Sequence, residues 1–129
     1  MKIIHKKGIG EVHFQHTIWM NQLTFYKEEL KIFQTRLEEI ASKNTGKDIR
    51  VSIEQFQNKF VIQKNEIDKL EHLIHINEDE AVNSGKIHIR RIDYEATEQY
   101  IYIRNAMVQF EKLSKELKDN FYLFLSQWM

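Results

Sequence analysis

The residues in this chain with the clearest capacity for chemistry are its six histidines. They are His5, His13, His16, His72, His75 and His88. Neutral imidazole nitrogens bind zinc, iron and copper, and histidines from several helices can converge on one ion. The pairs His13/His16 and His72/His75 have a spacing of three residues, which places both members of a pair on neighbouring turns of a helix. The pattern raises the hypothesis of a metal site with His16, His75 and His88 as candidate ligands.

The sequence around these histidines lacks the patterns of established helical metal sites. Di-iron sites in four-helix bundles use Glu-x-x-His pairs, and many zinc proteases use His-Glu-x-x-His. Neither pattern occurs in the chain. Of these residues only His16 falls on an apolar helical face, where we expect it to be hydrogen-bonded by Asn77 or by a backbone carbonyl. We therefore predict no resident cofactor, with a zinc or iron site as the alternative.

Composition excludes several other classes of function. The chain has no cysteine, so it has no disulfide, zinc–thiolate site or thiol nucleophile. Lysines plus arginines equal aspartates plus glutamates at 19 each, which does not favour a nucleic-acid-binding surface. No glycine-rich phosphate loop or serine nucleophile elbow is present. The start has no apolar signal-peptide core, and no stretch of eighteen apolar residues could span a bilayer, so we predict a soluble cytoplasmic protein.

The elements that must position these residues follow from apolar spacing. Apolar residues alternate by three and four over three long stretches, which keeps one face of an α-helix apolar. The first stripe is Val12, His16, Trp19, Leu23, Tyr26, Leu30, Phe33, Leu37 and Ile40. The second is Ile53, Phe56, Phe60, Gln63, Ile67, Leu70, Ile74, Asn77 and Ala81. The third is Ile92, Ala96, Gln99, Ile103, Ala106, Phe110, Leu113, Leu117, Asn120 and Phe124. With no proline and only four glycines, the chain is predicted to be all-α.

Capping signals predict the limits of three helices in one domain of residues 1–129. The helices are expected at about 10–42, 53–82 and from 87 or 93 to 127. A left-handed Gly46 would close the first, Ser52 with Gln55 would cap the second, and Asn83-Ser84-Gly85 would end it. Matched lengths and short connections favour an antiparallel, up-down-up, coiled-coil-like bundle.

The third helix carries more apolar residues than one core face requires. Beyond its stripe, a row on the far side recurs mostly every seven residues, and the last nine residues are apolar nearly all round. The candidate contact residues are Tyr94, Ile101, Val108, Phe121, Tyr122, Leu125 and Trp128. We predict a homodimer that completes the bundle, and a non-enzymatic protein that acts through self-association and protein–protein interaction. A metal-binding bundle with redox or hydrolytic activity is the alternative.

Two further expectations concern side chains at the edge of the predicted core. Asn77 and Asn120 occupy stripe positions near helix ends, where we expect their amides to be hydrated. In the first helix Ile18, Phe25 and Ile32 are expected to widen the core-facing stripe.

Overall fold

The structure, a computed structural model, describes residues 9–86 and 97–128. Within these ranges the chain forms three α-helices: α1 is Ile9–Lys43, α2 is Lys47–Lys86 and α3 is Glu98–Trp128. Residues 44–46 and Thr97 are the only described residues outside a helix, and neither range contains a strand. The all-α prediction is therefore confirmed for this part of the chain. None of these helices combines the length and apolarity needed to cross a membrane.

The connection between α1 and α2 is short and differs from the capping prediction. The backbone N–H of Arg50 donates to the carbonyl oxygen of Gly46 at 3.1 Å, so Gly46 is the N-cap of α2. The backbone of Gly46 is not in the left-handed region, so the prediction that it closes α1 in that conformation was wrong. Ser52 lies inside α2, and the predicted capping box was also wrong. Ile49 is buried in the core, which extends the apolar face of α2 by one turn before Ile53.

The end of α2 and the start of α3 also differ from the predicted limits. The α2 helix continues through residues 83–85 to Lys86, because asparagine, serine and glycine cost only up to about 1 kcal/mol each in a helix. The hydroxyl oxygen of Thr97 accepts a hydrogen bond from the backbone N–H of Tyr100 at 3.3 Å, which caps α3 at Glu98. The predicted starts at residues 87 and 93 lie outside the described residues.

Contacts between α1 and α2 run in reverse order along the two helices. Near the start of α1, His16 contacts Asn77, and further along, Phe33 contacts Phe60. Residue numbers therefore rise along α1 as they fall along α2. This is the order of contacts expected for antiparallel neighbours joined by a short connection.

Contacts of α3 with the other two helices have opposite senses. With α2 the order is again reversed, since Gln63 contacts Ser114 and Phe56 contacts Phe124. Contacts between α1 and α3 instead rise together along both helices. Ring contacts of 5.5 Å for Trp19 with Tyr100 and of 5.0 Å for Phe33 with Phe121 give this order.

The buried faces of α1 and α2 match the predicted stripes. Every residue of both stripes is buried except Tyr26 and Phe56, which are half-buried and pack against the core. Burial of this continuous face, including the polar His16, Gln63 and Asn77, holds the two helices together.

The buried face of α3 is rotated from the predicted one. Its buried residues are Tyr100, Ile103, Met107, Phe110, Leu117, Phe121 and Phe124. Gln99 and Leu113 are exposed, so their assignment to the core was wrong. Asn120 is exposed to water, as expected. Because apolar residues cover more than one flank of α3, spacing alone does not select the buried face. Packing selects the flank whose long rings, Tyr100 and Phe121, reach α1.

Candidate functional site

His16 lies in a buried polar cluster where the start of α1 meets the end of α2. Its side chain is 3% exposed, and its Nδ1 and Nε2 atoms lie 2.6 Å from Oε1 of Glu78 and 2.8 Å from Oδ1 of Asn77. The predicted pairing of His16 with Asn77 is confirmed. Asn77 itself is buried, so the expectation of a hydrated amide was wrong. His13 forms a hydrogen bond with the other carboxylate oxygen of Glu78.

The electrostatics of this cluster depend on Glu78. Partial burial raises the pKa of Glu78. Hydrogen bonds from His16 and His13, together with the charge of these side chains, lower it by a larger amount, so the pKa of Glu78 lies below its ordinary value. Both ring nitrogens of His16 face oxygen atoms, Nδ1 that of Glu78 and Nε2 that of Asn77. The rings of Trp19 and Tyr100 pack against His16 at 5.9 and 6.3 Å. The cluster therefore joins all three helices at this end.

Two of the three predicted metal ligands, His16 and His75, lie among the described residues and have different surroundings. His16 is occupied by its hydrogen bonds, whereas His75 is exposed on α2. Within residues 9–86 and 97–128, no group of three or more histidine, aspartate or glutamate side chains is arranged to hold a metal ion. The third candidate, His88, lies outside the described residues. The hypothesis of a metal site therefore gains no support from the described residues.

The predicted contact residues on α3 fall into two groups. Val108 is 65% exposed, Tyr122 and Trp128 are exposed, and Ile101 is half-buried. Phe121 is fully buried, and its assignment to a contact surface was wrong. Leu125 is half-buried against the core, and Tyr94 lies outside the described residues. We define the α3 row as Ile101, Val108 and Tyr122.

A second apolar row, predicted to belong to the core, is largely exposed on α1. Phe25 is 60% and Ile32 is 67% exposed, while Ile18 is half-buried. The expectation that Phe25 and Ile32 widen the core stripe was wrong, because the ring of Tyr26 and the other stripe residues already fill that side. The only sign of this surface row in the sequence was the spacing of seven residues between its members. We define the α1 row as Ile18, Phe25 and Ile32.

The two rows flank a polar seam between α1 and α3. Nζ of Lys118 lies 2.8 Å from Oε2 of Glu29, and each residue stands four positions from a member of its row, Tyr122 and Phe25 respectively. The hydrogen bond to Glu29 raises the pKa of Lys118. Burial, Glu111 and Glu29 raise the pKa of the nearby Tyr26 hydroxyl. The floor of this seam is thus closed by charged and hydroxyl groups, with apolar rows on both sides.

The other side of α3 forms an open apolar cleft with α2. One cavity of about 530 Å³ is lined in part by Leu73, Ile76, Ile101 and Tyr102, so Ile101 of the α3 row also borders this cleft. A second cavity of about 250 Å³ is lined in part by Ile62 and Leu113, and lies closer to the start of α2. Nζ of Lys69 stands 5.7 Å from the centre of the Tyr102 ring. This cleft is another place where the described residues leave apolar side chains accessible.

Comparison with protein-family models, curated proteins and solved structures finds no match to this chain.

Proposed function

We propose that this chain is a non-enzymatic, up-down-up helical bundle that works by self-association, with two copies pairing through the α1 row and the α3 row. One observation carries the proposal. Two helices carry apolar side chains at multiples of seven residues that the core leaves largely accessible: Phe25 and Ile32 on α1, and Val108 and Tyr122 on α3. Single exposed apolar residues are common on proteins, but a repeating row marks a contact surface.

The face that bears the rows has the dimensions of a protein–protein interface. The 31 residues of α3 rise through roughly 46 Å, and two packed helices are roughly 20 Å across. The face therefore covers roughly 900 Å², close to the ~800 Å² that each partner contributes to a standard interface. At about 25 cal/mol per Å², burial of its apolar part supplies a substantial driving force for association.

The polar seam favours a second bundle over a single inserted helix. An apolar helix in the seam would cover the Glu29–Lys118 pair and remove it from water, at a cost that its apolar side chains would not offset. A second copy presents the same two rows and the same seam, so apolar side chains can meet apolar side chains while polar groups face polar groups. Homodimers form through such self-complementary surfaces.

Sedimentation of matched variants tests the proposal. The row variant carries Ile32→Glu and Val108→Glu. The control carries Ile62→Glu and Val61→Glu, the same changes at positions of α2 that are 63% and 51% exposed. At micromolar concentration we expect wild type and control to be dimers and the row variant to be a monomer with unchanged helical dichroism. A monomeric wild type, or identical behaviour of the two variants, would contradict the proposal.

The metal-binding alternative and association with a different protein remain predictions. Elemental analysis of protein purified without a histidine tag would test the first, together with its melting temperature in added zinc or iron. An ion that binds only the folded state raises the melting temperature, so stoichiometric metal with a higher value would support a metal site.

A further inference from the structure

The cleft between α2 and α3 contains two cavities that lie in line along the helices. The upper cavity, of about 530 Å³, lies where the end of α2 meets the start of α3, and the lower cavity, of about 250 Å³, lies further toward the start of α2. The described residues that line the two cavities come from α2 and α3 alone. Ile76 of the upper cavity and Ile62 of the lower one are 14 residues apart on α2, roughly 21 Å. The cleft is therefore an elongated groove.

Apolar side chains are accessible in both cavities. Ile76 and Tyr102 are exposed at the upper cavity, and Ile62 and Leu113 are exposed at the lower one. On α2 the accessible residues belong to an outer stripe with a spacing of three and four residues: Ile62, Glu66, Lys69, Leu73, Ile76 and Glu80. A groove with apolar side chains at this spacing fits the apolar face of another helix.

The two ends of the groove differ in charge. Of the described residues that line the upper cavity, Glu80 and Glu98 are acidic and none is basic. The lower cavity is lined by one charge of each sign, Lys59 and Glu116. Lys69 stands between the two cavities along α2 and lines neither of them. Basic side chains of an occupant are therefore attracted to the upper end of the groove.

A second copy of this chain does not fit the groove. Its α1 row carries Glu28 and Glu29 between Phe25 and Ile32, so carboxylates would face the acidic upper cavity. Its α3 row would make a contact between two different surfaces, and such contacts generate rings or filaments. The charges of the groove thus favour a helix of another protein.

We propose that the cleft between α2 and α3 binds an amphipathic helix of a partner protein, with apolar side chains in both cavities and lysines or arginines beside Glu80 and Glu98. The basic end of the partner helix is its N-terminus, because the helix dipole adds positive charge there. The partner helix then runs antiparallel to α2. This inference does not rest on the proposed self-association.

A synthetic peptide of three heptads is the probe that tests the charge preference. It has leucine at positions a and d, lysine at positions e and g of the first heptad, glutamine at the later e and g positions, and a C-terminal fluorescein. The control peptide has glutamate in place of the lysines. Fluorescence anisotropy at nanomolar peptide and low salt should show saturable binding, with the lysine peptide bound about tenfold more tightly than the glutamate peptide.

Variants of the chain test whether the groove causes this preference. The double variant Glu80→Gln with Glu98→Gln should reduce the difference between the two peptides to about twofold. The matched control, Glu38→Gln with Glu54→Gln, changes exposed carboxylates on α1 and α2 outside the groove and should leave the tenfold difference unchanged. Ile76→Ser should weaken binding of the lysine peptide at least fivefold, whereas Val61→Ser, at an exposed position that lines neither cavity, should have little effect.

Three outcomes would overturn the proposal. The first is absence of saturable binding, or equal binding of the two peptides to wild type. The second is equal behaviour of the groove variants and their controls, which would place the peptide elsewhere on the surface. The third is sedimentation of Ile76→Ser as a monomer where wild type is a dimer, which would show that the groove joins two copies. A monomeric wild type that binds the lysine peptide as expected would contradict only the proposed self-association.

Discussion

The buried imidazole of His16 on α1 and the carboxylate of Glu78 on α2 are joined by a hydrogen bond, with Nδ1 of His16 2.6 Å from Oε1 of Glu78. A second hydrogen bond connects the same ring to Asn77. In a core that is otherwise largely apolar, this cluster fixes the height of α1 against α2, because a shift of one turn would leave these polar groups buried away from their partners.

We expect His16→Ala to destabilise the fold by about 2–4 kcal/mol. The change removes a buried ring and leaves Glu78 without its buried hydrogen bond. Urea denaturation followed by circular dichroism measures the loss. His75→Ala is the matched control, since His75 is exposed on the same part of the bundle and should change stability little. Equal effects of the two changes would show that the buried cluster contributes nothing specific.

Acid should weaken the fold through Glu78. Its pKa is lower in the folded chain than in the unfolded chain, so its contribution to stability is present above its ordinary pKa of about 4.3. That contribution is lost as the pH falls through the lower, folded-state pKa, because the unfolded chain binds the proton first. Unfolding free energies measured from pH 6 down to pH 3 should fall more steeply for wild type than for Glu78→Gln. Parallel profiles would refute this linkage.

Truncation of Phe121 on α3 and of Phe25 on α1 should affect different properties, folding stability for the first and self-association for the second. Phe121 is fully buried, and its ring lies 5.0 Å from Phe33 and 5.2 Å from Phe56 and Phe60. Phe121→Ala should cost about 3–5 kcal/mol of folding stability. Phe25→Ala should leave the stability of the isolated chain nearly unchanged but weaken self-association. Denaturation at low concentration and sedimentation at high concentration separate the two effects, and a reversed pattern would contradict the assignment of core and surface.

The hydrogen bond that joins α2 to α3 should show coupling between its partners. The Nε2 group of Gln63 donates to Oγ of Ser114 at 2.9 Å in a largely buried setting. Gln63→Leu alone leaves the Ser114 hydroxyl without this donor, and should cost about 1–2 kcal/mol. Adding Ser114→Ala should recover part of that loss. A double-mutant cycle measures the coupling, and purely additive effects would show that the hydrogen bond is not significant for stability.

Most of the secondary structure and two of the three buried faces were determined by the sequence. In α1 and α2, one stripe with a spacing of three and four residues is far longer than any other apolar row, so the pattern selects the buried face. The helix ends were harder to predict from the sequence. The start of α2 is set by burial of Ile49 in the core, and no capping signal in the sequence indicated it. His16 was correctly placed because a lone polar side chain on an apolar stripe must find a partner, and Asn77 was the polar residue at its height.

Only the tertiary structure decided which flank of α3 is buried and which side chains remain at the surface. Apolar residues cover several flanks of α3, and on α1 the row of Phe25 and Ile32 has the same local spacing as a core edge. The spacing of apolar residues shows which face of each helix is apolar. It does not show how much of the space beside that face is filled by side chains of the neighbouring helices. Rings such as Tyr100 and Phe121 fill the space toward α1, and once that space is filled at interior density no room remains for Phe25 or Ile32.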